Sequence, residues 1–192
     1  MDILAILLAC LCIFAVIAGI LAIFVLGIYN SLRSLNVLID EAWSGIDVQL
    51  KKRYDLIPNL VETVKGYAKQ EKDVFEKVAA LRSGMMNAGS DPEKLGQMEG
   101  ELRSTLKTLF AVAENYPELK SNENFMKLQT SLQEIETDLE SARRYYNGTV
   151  RDLNLKITTF PNSVIAGFFK IMPRKFFEVS TPEERENVKV QF

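Results

Sequence analysis

SNENFMKLQTSLQEIETDLESARRYYNGTVRDLNLKITTF, residues Ser121 to Phe160, is the stretch on which the fold turns. Its apolar side chains stand at Phe125, Leu128, Leu132, Ile135, Leu139, Ala142, Tyr146, Val150, Leu153, Ile157 and Phe160, at intervals that alternate almost strictly between three and four. A helix of 3.6 residues per turn lines such positions up on one stripe, and an alternation sustained over this length is the spacing of coiled-coil-like packing. Glu134, Glu136, Asp138, Glu140, Arg143 and Arg144 fall largely on other faces. Ser121 or Asn122 supplies the cap that opens the helix, and Pro161 ends it.

Working back toward the N-terminus, the same period recurs. Ser90 or Asp91 caps a second helix with Pro92 at its first position, and Leu95, Met98, Leu102, Leu106, Leu109 and Ala113 share one face as far as Tyr116 and Pro117. Further upstream, Leu35, Ile39, Ala42, Ile46, Leu50, Tyr54, Ile57, Val61, Val64 and Ala68 form a third stripe. That spacing predicts one long helix ending near Met86, before the turn residues Asn87 to Pro92, with a kink at Asp55 to Ile57 where Pro58 removes a backbone donor. Each stripe needs cover, so the three helices are expected to fold back on one another. The fold class is all-α: an elongated antiparallel bundle of long helices.

From Ile3 to Ile28 there are 26 consecutive residues without a charge or a side-chain amide. As a helix they reach about 39 Å, enough to cross a hydrocarbon core of ~30 Å with some tilt. No face is polar, so a transmembrane helix containing Ile3, Phe14, Gly19 and Ile28 is expected, flowing straight into the first bundle helix. A cleavable signal peptide wants a basic leader and a shorter apolar stretch, and Cys10 makes a poor lipoprotein processing site. Both cysteines, Cys10 and Cys12, lie in this span, so the rest of the chain has no disulfides. Arg33, Lys51, Lys52 and Arg53 follow the span, which favours a cytoplasmic C-terminal domain. Ala15 with Gly19 and Ala18 with Ala22 set small residues four apart, a pattern that permits close helix approach. The expected organisation is an anchor at residues 1–28, a helical bundle at 29–169 and an aromatic, basic tail at 170–192.

The tail region has two readings. Asn162 or Ser163 caps a short helix over Val164 to Phe169, after which Phe168, Phe169, Ile171, Met172, Phe176 and Phe177 mingle with Lys170, Arg174 and Lys175. Such a mixture suits folding back to close the bundle, or contact with a membrane headgroup region or another subunit. Val188 to Phe192 alternate as an edge strand does.

The chain offers little for catalysis. Among its 192 residues there is no His, which removes the usual general base and the commonest metal ligand, and the net charge of -2 gives no basic field for nucleic acid. Asp47, Gln49, Lys51, Lys52, Arg53, Asp55, Asn59 and Glu62 form the densest polar patch. As function it is a docking surface or anion site; as structure, Asp55 serves backbone groups freed at Pro58 while Arg53 or Lys52 pairs with a carboxylate on a neighbouring helix. Trp43 is either a partner anchor or a core residue. Glu134 and Asp138 share a face, but without His and among basic neighbours they read as solvated charges. Asn147 to Thr149 match a glycosylation sequon inside a helix, which disfavours modification. No catalytic, cofactor or metal residue is assigned.

AWSGIDVQLKKRYDLIPNLVETVKGY at Ala42 to Tyr67, ENYPELKSNENF at Glu114 to Phe125, Leu128 with Gln129, Arg143 to Asn147 and FPNSVIAGFF at Phe160 to Phe169 resemble, in order, the motifs of the LemA family of bacterial membrane proteins. The likeness runs from about Tyr29 to Glu178. Gln70 stands where the family usually has His, so any role of that His is missing here, and Leu153 with Asn154 stands where members often repeat Tyr-Asn. The resemblance implies an N-terminal anchor with the N-terminus outside, a cytoplasmic antiparallel bundle and no particular reaction. Together these readings lead us to expect a single-pass protein of the bacterial cell membrane that is structural rather than enzymatic, with the lipid bilayer and further copies of itself as partners. The alternative is an adaptor presenting its helices to a partner such as a membrane protease or kinase. The candidate interaction surface is Trp43, Asp47, Lys51, Lys52, Arg53, Asp55, Phe168, Phe169, Phe176 and Phe177.

Overall fold

A computed structural model describes residues 3–178. Among the described residues there are six helices and no strand: α1 (Ile3–Tyr67), α2 (Lys72–Met86), α3 (Pro92–Glu114), α4 (Pro117–Lys120), α5 (Glu123–Thr158) and α6 (Asn162–Phe168). The alternating residues Val188 to Phe192 lie outside the described residues. The fold is all-α, as the periodicity predicts, and its N-terminal helix begins with a stretch long and apolar enough to cross a membrane, none of it buried. The chain divides into two compact units, Met1–Glu41 with Gly148–Arg174 and Ala42–Asn147 with Lys175–Phe192; α1 and α5 contribute to both.

In the first unit, α1 exposes apolar side chains around its circumference from Leu7 to Leu26, among them Phe14 and Phe24. Side chains that surround a helix in this way have no partner in the chain and suit a lipid environment. At Leu32, fully buried, α1 acquires an inner face that continues with Ile39. The C-terminal turns of α5 pack here through Val150 and Leu153, and Lys156 Nζ donates to Ser31 Oγ at 2.5 Å. Ile165 and Ala166 of α6 are buried in the same unit.

In the second unit the α1 stripe runs on through Ala42, Ile46, Leu50, Tyr54, Ile57, Val61 and Val64, all buried, as the spacing predicts, and Leu60 beside it is buried as well. Helix α5 lies antiparallel to it: Trp43 meets Tyr146, Arg53 meets Glu136, and Tyr67 Oη accepts from Asn122 Nδ2, so numbers rise along α1 as they fall along α5. Phe125, Leu132, Ile135 and Leu139 of α5 and Leu95, Leu102, Leu106 and Leu109 of α3 complete the core with Leu119 of α4. Two of the three expected caps are present; the third is not, because α6 begins at Asn162 itself with Pro161 before it and no side chain bonded to its first amides. Asp91 Oδ1 accepts from the Glu93 amide and Asn122 Oδ1 from the Phe125 amide, each at 3.1 Å, satisfying donors that have no partner inside the helix.

The first bundle helix ends earlier than expected. It contains Pro58, as the sequence predicts, and stops at Tyr67, not near Met86; a turn at Ala68 to Glu71 separates it from α2. Two forces account for this. Gly66 weakens the last turn of α1, and the apolar face of α2, Phe75, Val78 and Met85, is buried only if the chain reverses. The reversal also answers the defect at Pro58. With no N–H at position 58, the carbonyl of Tyr54 loses its helical partner, and Arg82 Nε of α2 donates to it at 2.8 Å.

If Arg82 is the substitute donor, Arg82→Met should lower stability by about 1–2 kcal/mol, the cost of leaving a part-buried carbonyl unpaired. The same change in a Pro58→Ala background, where the helix supplies its own donor, should cost much less. Thermal unfolding of the full-length protein in detergent, followed by circular dichroism, measures both.

Candidate functional site

The charges that converge most closely lie inside the second unit. Arg53 of α1 pairs through Nη1 with Glu99 of α3 and through Nη2 with Glu136 Oε2 of α5 at 2.7 Å. The Arg53 and Glu99 side chains are 4% and 2% exposed, so water screens little of this interaction. Arg103 of α3 extends the cluster, its Nε 3.3 Å from Glu136 Oε1 and its Nη2 3.5 Å from Glu140. Burial pulls the Arg53 guanidinium below its usual value and the Glu136 carboxylate opposes this; an arginine stays protonated across the accessible range regardless. Burial pushes the neighbouring Tyr54 hydroxyl upward, keeping it a neutral phenol. A groove of 320 Å³ opens beside the cluster, lined by Arg53, Arg103, Lys107, Phe110, Gln133 and Glu136 among others. Within this cluster each acid meets a base, an arrangement that sets helix register.

Arg53 is therefore an interior residue paired with carboxylates on neighbouring helices, which is the structural alternative for the polar patch and not the docking one. Asp47, Lys51, Lys52 and Asp55 remain exposed on that helix. Asp55 does not serve the backbone freed at Pro58, because a carboxylate has no proton to give a carbonyl; Arg82 does so. The burial of Arg53 has a sequence signal that is easy to pass over. Residue 53 stands three after Leu50 and four before Ile57, on the stripe itself, and Glu99 likewise stands between Leu95 and Leu102. Trp43 is half-buried, its ring centroid 5.4 Å from that of Tyr146 and 6.0 Å from that of Phe177.

The four phenylalanines of the candidate surface are divided. In the second unit Phe177 is 1% exposed and Phe176 37% exposed. Phe177 is interior because α5 holds its backbone at both ends: Asn147 Nδ2 donates to the Phe177 carbonyl at 3.0 Å, and the Phe177 amide donates to Asn147 Oδ1 at 2.9 Å. Tyr146 Oη donates to the Lys175 carbonyl at 2.9 Å, and the Arg143 guanidinium lies over the Phe177 ring. Lys175 Nζ bonds Glu93 Oε2 at 3.1 Å, with Asp91 nearby; that hydrogen bond holds the ammonium above its usual value. Gly96 of α3 lets the tail approach, because a Cβ there would overlap the backbone carbonyl of Glu178.

In the first unit Asn154 repeats the clasp. Its Nδ2 donates to the Arg174 carbonyl and its Oδ1 accepts from the Arg174 amide, both at 2.9 Å, while Arg174 Nη2 reaches Asp40 at 2.6 Å. The two asparagines stand seven residues apart on α5. Phe169 packs on Tyr29 with ring centroids 4.5 Å apart and remains 42% exposed; Phe168 is 79% exposed. Ile3 opens α1, Phe14 is exposed on it, and Ile28 is half-buried.

Removing one partner of the buried cluster strands the others. Arg53→Met should cost about 3–5 kcal/mol in denaturant unfolding, and adding Glu99→Leu to it should recover part of that loss. A second consequence concerns the clasp. Asn147→Leu keeps size and removes both hydrogen bonds, so trypsin should cut after Arg174 and Lys175 in the variant under conditions that leave the parent intact, as mass spectrometry of the digest would show.

The sequence profile of the LemA family matches residues 42–192. Protein LemA of Metamycoplasma hominis is 24% identical over 165 residues, which cover 86% of this chain and 75% of that protein. Magnetosome protein MamQ 2 of Paramagnetospirillum magneticum is 25% identical over 175 residues, covering 78% of this chain and 64% of that protein. Magnetosome protein MamQ of Magnetospirillum gryphiswaldense is 25% identical over 171 residues, covering 74% of this chain and 63% of that protein. The chain thus spans just under two thirds of the length of these magnetosome proteins, and none of the names is that of an enzyme. The Gln70 position, where the family's His is expected, falls in the exposed turn between α1 and α2. With a profile match over most of its length and relatives bearing the family's name, this chain belongs to the LemA family.

Proposed function

We propose that this protein is a membrane-anchored structural scaffold of the bacterial cell membrane, single-pass, with its helical domain on the cytoplasmic side and copies of itself as its partners. One observation carries the reading: the apolar stretch suited to lipid and the stripe that builds the helical core belong to a single helix, Ile3–Tyr67, without a joint between them. The charges that converge most closely, Arg53 with Glu99 and Glu136, tie three helices of the bundle together, which suits a structural part.

Further support comes from three sides. Ala15, Ala18, Gly19 and Ala22 give α1 a face of small side chains, and a Cβ at Gly19 would meet nothing within 4 Å, so another helix has room to approach. Arg33, Lys51 and Lys52 follow the apolar stretch, which favours retention of the downstream helices on the cytoplasmic side. The relatives named as magnetosome proteins carry the name of a cellular body rather than of a reaction.

Native mass spectrometry of the full-length protein in mild detergent, paired with cross-linking, is expected to detect multimers, and Gly19→Leu should shift them toward the monomer. A monomer without a bound partner would count against self-association. Proximity labelling from the C-terminus should then mark chiefly other copies; one dominant foreign protein would favour the adaptor reading.

A further inference from the structure

The corner where α5 turns into α6 exposes apolar side chains that nothing in the first unit covers. Phe160 is 80% exposed, Val164 63%, Phe168 79% and Met172 71%. Val164 and Phe168 lie one turn apart on α6, while Ile165 and Ala166 on its other side are buried, so the helix is amphipathic in the reverse sense: both faces are apolar and only one is packed. Four large apolar groups held open to water in a fixed corner mark a surface made to be covered.

The position of the corner identifies the cover. Phe169 packs, its ring tilted, against Tyr29, the first residue after the apolar run Ile3 to Ile28, and Lys156 of α5 bonds Ser31 two residues further on. The exposed corner therefore stands beside the point at which α1 would leave a bilayer. Charge points the same way. Within this unit no Asp or Glu occurs from Ile3 to Ile39 or from Leu153 to Arg174, whereas Arg33, Lys156 and Lys170 do; Arg174 is paired with Asp40. Aromatic side chains, a methionine and the cations Arg33 and Lys170 at the edge of a hydrocarbon stretch match the headgroup region of an anionic leaflet, where rings sit at the polar boundary and cationic groups reach phosphates.

We infer that the α5–α6 corner is a second membrane contact, in which Phe160, Val164, Phe168 and Met172 enter the headgroup region of the leaflet from which α1 emerges and Lys170 and Arg33 meet anionic lipid. The inference rests on α1 being a membrane span, and it goes beyond anchoring, because a helix fixed at one point rotates freely whereas one held also at a foot beside it does not. It also narrows the tail's role: Phe177 is committed to the core, so the membrane contact lies upstream of it.

The test uses full-length protein carrying Cys10→Ser and Cys12→Ser, with one new cysteine at a time through Phe14→Cys, Phe160→Cys, Phe168→Cys or Lys127→Cys. Each is labelled with an environment-sensitive fluorophore and reconstituted into phosphatidylcholine vesicles with and without phosphatidylglycerol. Lipids carrying a quencher at a shallow or a deep acyl position then report depth. Labels at 160 and 168 should be quenched more by the shallow quencher, in the outer ~5–10 Å of the leaflet, and more strongly when phosphatidylglycerol is present. The label at 14 should respond more to the deep quencher, and the label at 127, on an exposed lysine of α5, to neither. Quenching at 14 with none at 160 and 168 would overturn the membrane contact and leave the anchor standing; absence of quenching at 14 as well would overturn both. Labels at 160 and 168 that are shielded from water yet untouched by lipid-borne quenchers would mean a protein covers the corner, and would also overturn it. Phe168→Trp in a Trp43→Phe background, read with brominated lipids, repeats the measurement with an aromatic ring retained.

Discussion

A buried guanidinium governs the arrangement of the second unit. Arg53 cannot reach water, so folding must bring carboxylates to it, and those carboxylates stand on two other helices, Glu99 on α3 and Glu136 on α5. Apolar stripes alone would tolerate sliding by a heptad, since one leucine resembles the next. A buried charge does not tolerate it, because a slip leaves an ion in a medium of low dielectric without its counterion. The cluster thus selects one register from several that the hydrophobic effect would accept, and Arg103 with Glu140 extends the selection toward the surface.

Local defects in this fold are repaired from a distance. Proline within α1 exposes a carbonyl, and an arginine 28 residues further along the chain, on the returning helix α2, supplies the missing donor. The tail beyond α6 has no regular structure of its own from Ile171 to Glu178, yet its backbone groups are met by asparagine side chains on α5, each reading one residue as a neighbouring strand would. In both cases side chains substitute for backbone partners, and the substitution ties together segments that the sequence separates.

How much of this could be read beforehand followed from whether the signal was local. Helices α3 and α5 were legible because a cap, Asp91 or Asn122, sits directly before a regular stripe, and the apolar run of α1 was legible because nothing interrupts it. The end of α1 was not, since Gly66 is a weak stop and the decisive interaction, Arg82 with Tyr54, pairs residues that no periodicity connects. Arg53 and Phe177 each carry a surface and an interior reading in the sequence, because charge ordinarily seeks water and an aromatic, basic tail resembles an interfacial segment; both are interior. Their burial depends on partners in other helices, although the position of Arg53 on the stripe was visible. Phe168 is exposed, and Trp43 lies between the alternatives, half-buried against Tyr146.

The clasp on Phe177 carries a chemical clock. Asn147 is followed by Gly148, the neighbour that least hinders cyclisation of an asparagine amide onto the following backbone nitrogen, the first step of deamidation. The product, a carboxylate, has two acceptors and no donor, so one oxygen would face the Phe177 carbonyl in repulsion. Inside α5 the backbone nitrogen is held away from that attack by helical geometry. The age at which the tail lets go is therefore governed by how seldom α5 opens at this point, and the durability of the closure is a property of the helix rather than of the bonds that make it.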